Sequence, residues 1–192
     1  MKYIFLLFIL IAKLSSNEIT DKKNIFIKAV LPSIQKVHNN LYKQYLYALK
    51  DINSSQNKEL LISLKPHPIS ITLAQAALES GWGTSRFFKQ ANNIFGVWIK
   101  DSSDSKIAAL QKRGKRTIWL KKFKSFDESI LDYYHLLSTA PAYKEFKRLN
   151  MKTDNPYLIA EKLNHYSELG VEYTKRVKSV IRHNNFTKYD KK

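Results

Sequence analysis

The stretch LAQAALESGWGTS, residues 73–85, holds one acid, Glu79, at the end of a run of small and apolar residues. Gly81, Trp82 and Gly83 follow at once. The pattern predicts a helix over Ile69–Glu79 whose only carboxylate lies in its last turn. There the negative end of the helix macrodipole disfavours ionisation. Partial burial beside Trp82 would push the same way. A carboxyl kept protonated near neutral pH suits general-acid chemistry, and the absence of side chains at Gly81 and Gly83 just after it would let a bulky substrate reach it.

Other chemistries find little support. His38, His67, His135, His165 and His183 are scattered, with no H-E-x-x-H pair, so no metal site is expected and each reads as a surface or core histidine. There is no G-x-S-x-G elbow and no phosphate-binding glycine loop. The absence of cysteine removes disulfides, thiolate zinc sites and thiol nucleophiles. No cofactor is expected.

Several elements must position Glu79. Pro66 and Pro68 break the chain ahead of its helix, and Thr72 and Gln75 have the spacing of a capping box but fall inside it. Upstream, Ile34, Val37, Leu41, Tyr45 and Leu49 mark an amphipathic helix over residues 25–50, with Pro32 just inside its start. Residues 53–57 read as a loop and 58–64 as a short helix or extended piece. A short helix over 85–91 follows. Trp98–Phe123 reads as an irregular loop with a small hairpin. Ser125 and Glu128 form a capping box opening a helix with Phe126, Ile130, Tyr133 and Leu137 on one face. Further helices are expected from Pro141 to Leu149, from Pro156 to His165, and over Val171–Arg182 with Tyr173, Val177, Val180 and Ile181 inward. The fold class is therefore mainly α with a small β insertion.

At 192 residues the chain is about one domain long. Its net charge of +17 suits a polyanionic partner such as nucleic acid, a membrane surface or a wall polymer, and equally suits lysine used as the default surface residue. No helix-turn-helix, zinc or RNP pattern supports nucleic acid. The N-terminus, MKYIFLLFILIAKLSSNE, places Lys2 before an apolar run from Tyr3 to Ala12. That is a secretory signal pattern, or else a short uncleaved anchor, and is too short to span a bilayer. It predicts export to the periplasm or cell envelope.

Residues 73–98, LAQAALESGWGTSRFFKQANNIFGVW, resemble the core motif of the bacterial glucosaminidases of glycoside hydrolase family 73, in the Bax-like branch. Residues 123–150 and 158–181 resemble that branch's next segments, so the resemblance runs from about Phe26 to Phe186. It implies a lysozyme-like helical domain with a small β-hairpin lobe, acting on peptidoglycan glycan strands at an N-acetylglucosaminyl β-1,4 bond. The acid falls on Glu79. The family's Asn-Phe-Gly and tyrosine motifs fall on Asn93, Phe95, Gly96 and Tyr166 as residues shaping the cleft. With Ser80, Trp98 and Tyr173 these are the expected substrate-binding residues. Phe95, Trp98 and Tyr173 read equally as core packing, and Ser80 and Asn93 as satisfying backbone groups at the helix break. The implied organisation is a signal or anchor over 1–16, a helical extension over 17–60, a glucosaminidase domain over 61–186 and a basic tail over 187–192.

One departure from the family concerns the second carboxylate that glycoside hydrolysis usually needs. Many members carry a glutamate in the hairpin shortly before the position of Phe123. Here Trp119 or a neighbour stands there, and no acid occurs between Asp104 and Asp127. Asp101, Asp104, Glu128 and Asp132 remain as candidates. The other routes are assistance by the substrate's own N-acetyl group, a 1,6-anhydro product made with one acid as in lytic transglycosylases, or a module that binds wall without cutting it. The same hairpin carries Lys112, Arg113, Lys115, Arg116, Lys121, Lys122 and Lys124. This basic stretch, 112–124, could contact anionic wall polymer or simply be solvated.

Overall fold

A computed structural model describes residues 2–50, 56–99, 105–113 and 116–190, with the backbone alone for 2–17, 56–59, 111–113 and 116. Helix α3 (Ile69–Ser80) lies at its centre, packed by α1 (Lys2–Lys50), α8 (Val171–His183) and a 3-10 turn over Phe186–Tyr189. Residues 69–77 of α3 are all buried. Ala74, Ala76 and Ala77 explain how so many elements fit around one short helix, since methyl side chains let neighbouring backbones approach closely.

α1 is one helix of 49 residues, so Pro32 lies in its interior and not at its start, as the sequence reading had placed it. The correction has a physical basis in the apolar stripe. Phe26, Val30, Ile34 and Val37 are all buried, spaced by three and four on both sides of the proline. A mid-helix proline costs about 3 kcal/mol. Burying four such side chains contributes about 1.5–3 kcal/mol each, so packing outweighs the break. Leu41 and Tyr45, counted in the same stripe, are only half-buried, and Leu49 is exposed.

The remaining helices surround this pair. They are α2 (Gln56–Leu64), α4 (Arg86–Ala91), α5 (Phe126–Thr139), α6 (Lys144–Lys152) and α7 (Pro156–Ala160). α5 starts as expected. Ser125 Oγ accepts from the Glu128 amide, and Glu128 Oε2 accepts from the Lys124 amide at 2.7 Å. The segments expected as helices from Pro141 and Pro156 split into shorter pieces. A 3-10 turn over Pro141–Tyr143 precedes α6, and one over Glu161–Leu163 follows α7.

The β lobe is a single antiparallel hairpin of β1 (Lys106–Arg113) and β2 (Arg116–Lys121). Its register pairs Ile107 with Leu120 and Ala108 with Trp119, then shifts between Ala108 and Lys112. Trp98 forms an isolated bridge to Leu120. Fold class and lobe thus match the sequence expectation. Phe186 is fully buried and Asp190 is bonded to α3. Among the described residues no helix is long and apolar enough to cross a membrane.

Candidate active site

α3 ends in a Schellman arrangement. The Trp82 amide donates to the Ala77 carbonyl at 2.8 Å and the Gly81 amide to the Leu78 carbonyl at 3.3 Å. Gly81 has φ +57°, which glycine adopts without steric cost. The turn places Glu79 on the last turn of the helix. Ser80 is buried, donates to the Ala76 carbonyl at 2.6 Å and accepts from the Gly83 amide at 2.9 Å. The structure thus sets its hydroxyl to work on the turn. The glycines do a different job from opening a path to the acid. A Cβ on Gly83 would lie 3.1 Å from both Phe26 and Phe88, and one on Gly81 would lie 3.0 Å from Thr84 Oγ1. Trp82 joins Phe26 and Phe186 in the same packing.

The groups that act on Glu79 are tyrosines. Tyr173 on α8 donates its hydroxyl proton to Glu79 Oε1 at 2.7 Å. Tyr166 stacks on Tyr173, with ring centroids 5.4 Å apart and planes at 13°. Burial pushes the Glu79 carboxyl above its ordinary value, and the Tyr173 hydrogen bond opposes that only in part. Both phenols are pushed well up, first by burial and then by neighbouring tyrosines and the Glu79 charge. Both stay protonated, and Tyr173 serves as the donor. The site therefore combines a carboxyl inclined to hold its proton with a fixed donor at one of its oxygens.

Behind Tyr173 lie residues that the sequence reading passed over as capping or core. Gln75 Nε2 donates to the Tyr173 hydroxyl at 2.9 Å, and the Tyr133 hydroxyl donates to Gln75 Oε1 at 2.7 Å. His67 Nε2 lies 3.0 Å from the Tyr133 hydroxyl. All three residues are buried. The available signal was two polar residues, Thr72 and Gln75, at the middle of a helix whose other inner positions are apolar or serine.

The other expected site residues divide into two groups. Phe95 is buried and stacks on Tyr133 at 4.1 Å, and Tyr133 meets Tyr166 edge-on, so Phe95, Tyr166, Tyr173 and Glu79 form one cluster. Asn93, Gly96 and Trp98 belong to the root of the lobe. Asn93 Nδ2 donates to the carbonyls of Val97 and Lys121, and Asn93 Oδ1 accepts from the Val97 amide at 2.9 Å. Gly96 has φ +67° with open space where a Cβ would be, and Trp98 is 53% exposed.

Among the candidate second acids, Glu128 is bonded to the Lys124 amide and Asp132 pairs with Lys121 at 3.0 Å. Asp101 and Asp104 lie outside the described residues. Of the seven hairpin cations, Lys121 is engaged by Asp132, whereas Lys122 and Lys124 are exposed. Lys115 lies outside the described residues, and only the backbone is described for Lys112, Arg113 and Arg116.

The architecture has counterparts among solved structures. The catalytic domain of the autolysin Auto from Listeria monocytogenes superposes with a TM-score of 0.62 at 22% identity, covering 88% of each chain. A peptidoglycan hydrolase from Sphingomonas sp. A1 gives 0.59 at 19% identity, covering 86% of this chain and 91% of that one. Protein bax of Escherichia coli K12 is 31% identical over 112 residues, which is 55% of this chain and 39% of that protein. Exo-glucosaminidase LytG of Bacillus subtilis 168 is 35% identical over 83 residues, 41% of this chain and 29% of that protein. The chain thus matches less than half the length of either curated relative. The family described as Glucosaminidase, mannosyl-glycoprotein endo-beta-N-acetylglucosaminidase, matches residues 55–186, which carry α3, the lobe and every residue of the tyrosine cluster. With well over half its length in that match, the chain belongs to the glucosaminidase family.

Proposed function

We propose that the chain is a peptidoglycan hydrolase that cuts β-1,4 glycosidic bonds of the wall glycan, as an endo-β-N-acetylglucosaminidase does, with Glu79 as general acid. The observation that carries this reading is the buried carboxyl at the end of α3, pushed towards its protonated form by burial and bonded at Oε1 by Tyr173. Glu79 would donate its proton to the glycosidic oxygen as the bond to the sugar C1 breaks, which makes the leaving group a neutral alcohol. Family membership and the names of the relatives, an exo-glucosaminidase and a peptidoglycan hydrolase among them, support the substrate class. The exposure of Trp98 at the root of the lobe supports a role in stacking on sugar rings, and that of Lys122 and Lys124 supports contact with anionic wall polymer. The apolar run behind Lys2 supports export to the periplasm or cell envelope.

A second reading concerns how C1 is captured. Glu128 and Asp132 are both bonded within the fold, which favours a route that uses Glu79 alone. C1 is then captured by the oxygen of the substrate's own N-acetyl group, in a cyclic intermediate that water opens, or by the sugar's own C6 hydroxyl, whose proton returns to Glu79. Digestion of purified sacculi followed by mass spectrometry tests both readings. Soluble muropeptides with reducing N-acetylglucosamine ends are expected, and 1,6-anhydro ends would identify the internal capture. Glu79→Gln should lower release by about 10²–10⁴-fold. Full release by that variant would refute the assignment.

A further inference from the structure

The hydrogen bonds behind Glu79 have a direction. A carbonyl oxygen only accepts and an amide nitrogen only donates. Tyr133 must therefore give its proton to Gln75 Oε1, at 2.7 Å, and Gln75 Nε2 must give one to the Tyr173 oxygen, at 2.9 Å. Tyr173 is left with its own proton for Glu79 Oε1, at 2.7 Å. At the far end, His67 Nε2 lies 3.0 Å from the Tyr133 oxygen and 2.9 Å from Thr72 Oγ1. The Thr72 proton goes to the Tyr134 oxygen. Both oxygens facing Nε2 therefore lack a proton for it, so Nε2 itself carries the hydrogen. Burial, and then the nearby His38, push His67 down to about 3, so the ring is neutral at any working pH.

We propose that His67, Tyr133 and Gln75 are positioning residues for Glu79. Their hydrogen bonds run one way, from His67 through Tyr133, Gln75 and Tyr173 to Glu79, and fix Oε1 as an acceptor so that the transferable proton resides on Oε2. This rests on Glu79 being the general acid. In a buried, low-dielectric setting such bonds polarise one another in series, and the last of them ends on a carboxylate, where it is strongest. Each link also holds the next side chain in one rotamer. Without Tyr133, Gln75 Oε1 has no donor, its amide is free to turn, and Tyr173 loses the proton donated to it.

The titratable and charged groups facing this path are few. α1 contributes His38 and Lys23, α5 contributes Tyr133 and Tyr134, and the segments after it contribute Tyr143 and Tyr166. α8 adds Tyr173, and Asp190 follows it. Tyr173 is the group that bonds Glu79 directly, and the Glu79 charge also acts on Tyr166.

Tyr133→Phe keeps the ring stacked on Phe95 and removes only the hydroxyl. On soluble glycan strands kcat is expected to fall about five- to tenfold, with KM within about twofold. The alkaline limb of the kcat/KM profile should move to higher pH, because the Glu79 carboxylate loses support. Ser129→Ala removes a buried hydroxyl that accepts from the Ile94 amide, off this path, and should lower Tm while leaving the profile in place. His67→Leu should repeat the Tyr133→Phe shift, and His67→Gln, which restores a donor, should reverse it. A Tyr133→Phe profile that overlays the wild type, with only Tm lowered, overturns the chain. Measured alongside, an inactive Glu79→Gln with an unmoved Tyr133→Phe profile removes the chain alone. An active Glu79→Gln removes the proposed function itself.

Discussion

The helical body and the β lobe solve opposite problems. Around Glu79 the body holds its polar groups in buried, paired positions, with Gln75, Tyr133 and Tyr173 bonded in series. The lobe is a two-stranded ribbon, an element marginal on its own in water. Leu110 is 85% exposed and Trp119 39%. What joins the lobe to the body is local. Asn93 bonds Val97 and Lys121, the Phe123 amide donates to the Ala91 carbonyl at 2.8 Å, and Arg86 reaches the Ala108 carbonyl. Leu120 and Phe123 supply the buried apolar contact. The difference teaches that holding the carboxyl and displaying an exposed surface are separate tasks here. The first is built into the core, and the second hangs from a few local ties, the Asn93 clamp among them.

Breaking that clamp should have the largest effect. Asn93→Ala removes the side-chain bonds to the Val97 and Lys121 carbonyls and from the Val97 amide, and should cost about 3 kcal/mol. Limited proteolysis should cut faster within residues 98–123, while the near-ultraviolet signal of the tyrosine cluster stays native. Equal loss in both regions would show that the two are one cooperative unit. Gly81→Ala tests the body's side, since a left-handed φ and the 3.0 Å approach to Thr84 Oγ1 make the turn after Glu79 costly for alanine. A loss of about 1 kcal/mol in chemical denaturation is expected, without faster hairpin cleavage. Asp132→Asn removes the ion pair that links α5 to Lys121 of the lobe, and should cost about 0.5 kcal/mol or less by the same measurement.

The smallest effect should have the opposite sign. The Glu79 carboxyl is raised from 4.5 in the folded state, so its contribution to stability is fully present below 4.5 and is lost as pH rises through the folded value. Glu79→Gln should therefore melt slightly higher than wild type near neutral pH. The gap should close in melts below pH 4.5, and a gap independent of pH would contradict the burial argument.

Much of the fold was legible from spacing. The α5 capping box, the proline break before α3 and the inward positions Tyr173, Val177 and Ile181 follow from local rules that the structure obeys. The candidacy of Glu79 rests on a lone acid at a helix end before glycine together with the family-like motif over residues 73–98. What stayed hidden depends on contacts between distant segments. Nothing near Pro32 announces that the stripe from Phe26 to Val37 will hold a helix together across it. Gln75 and Thr72 look like capping residues until α5 and α8 are packed against them. His67, one of five scattered histidines, gains its meaning from Tyr133, 66 positions later.

The first turn of α3 has no side-chain cap from its own neighbours. Its Ser70 amide donates to Asp190 Oδ1 at 2.8 Å, across 120 positions. A polypeptide that leaves the ribosome or a membrane pore N-terminus first presents Ser70 long before Asp190. Closing so long a loop forfeits chain entropy until the rest of the body is in place, which makes such contacts late events. The helix that carries the acid is thus finished only once Asp190 has been delivered, and a product cut short before that residue would emerge with that helix untied at its start.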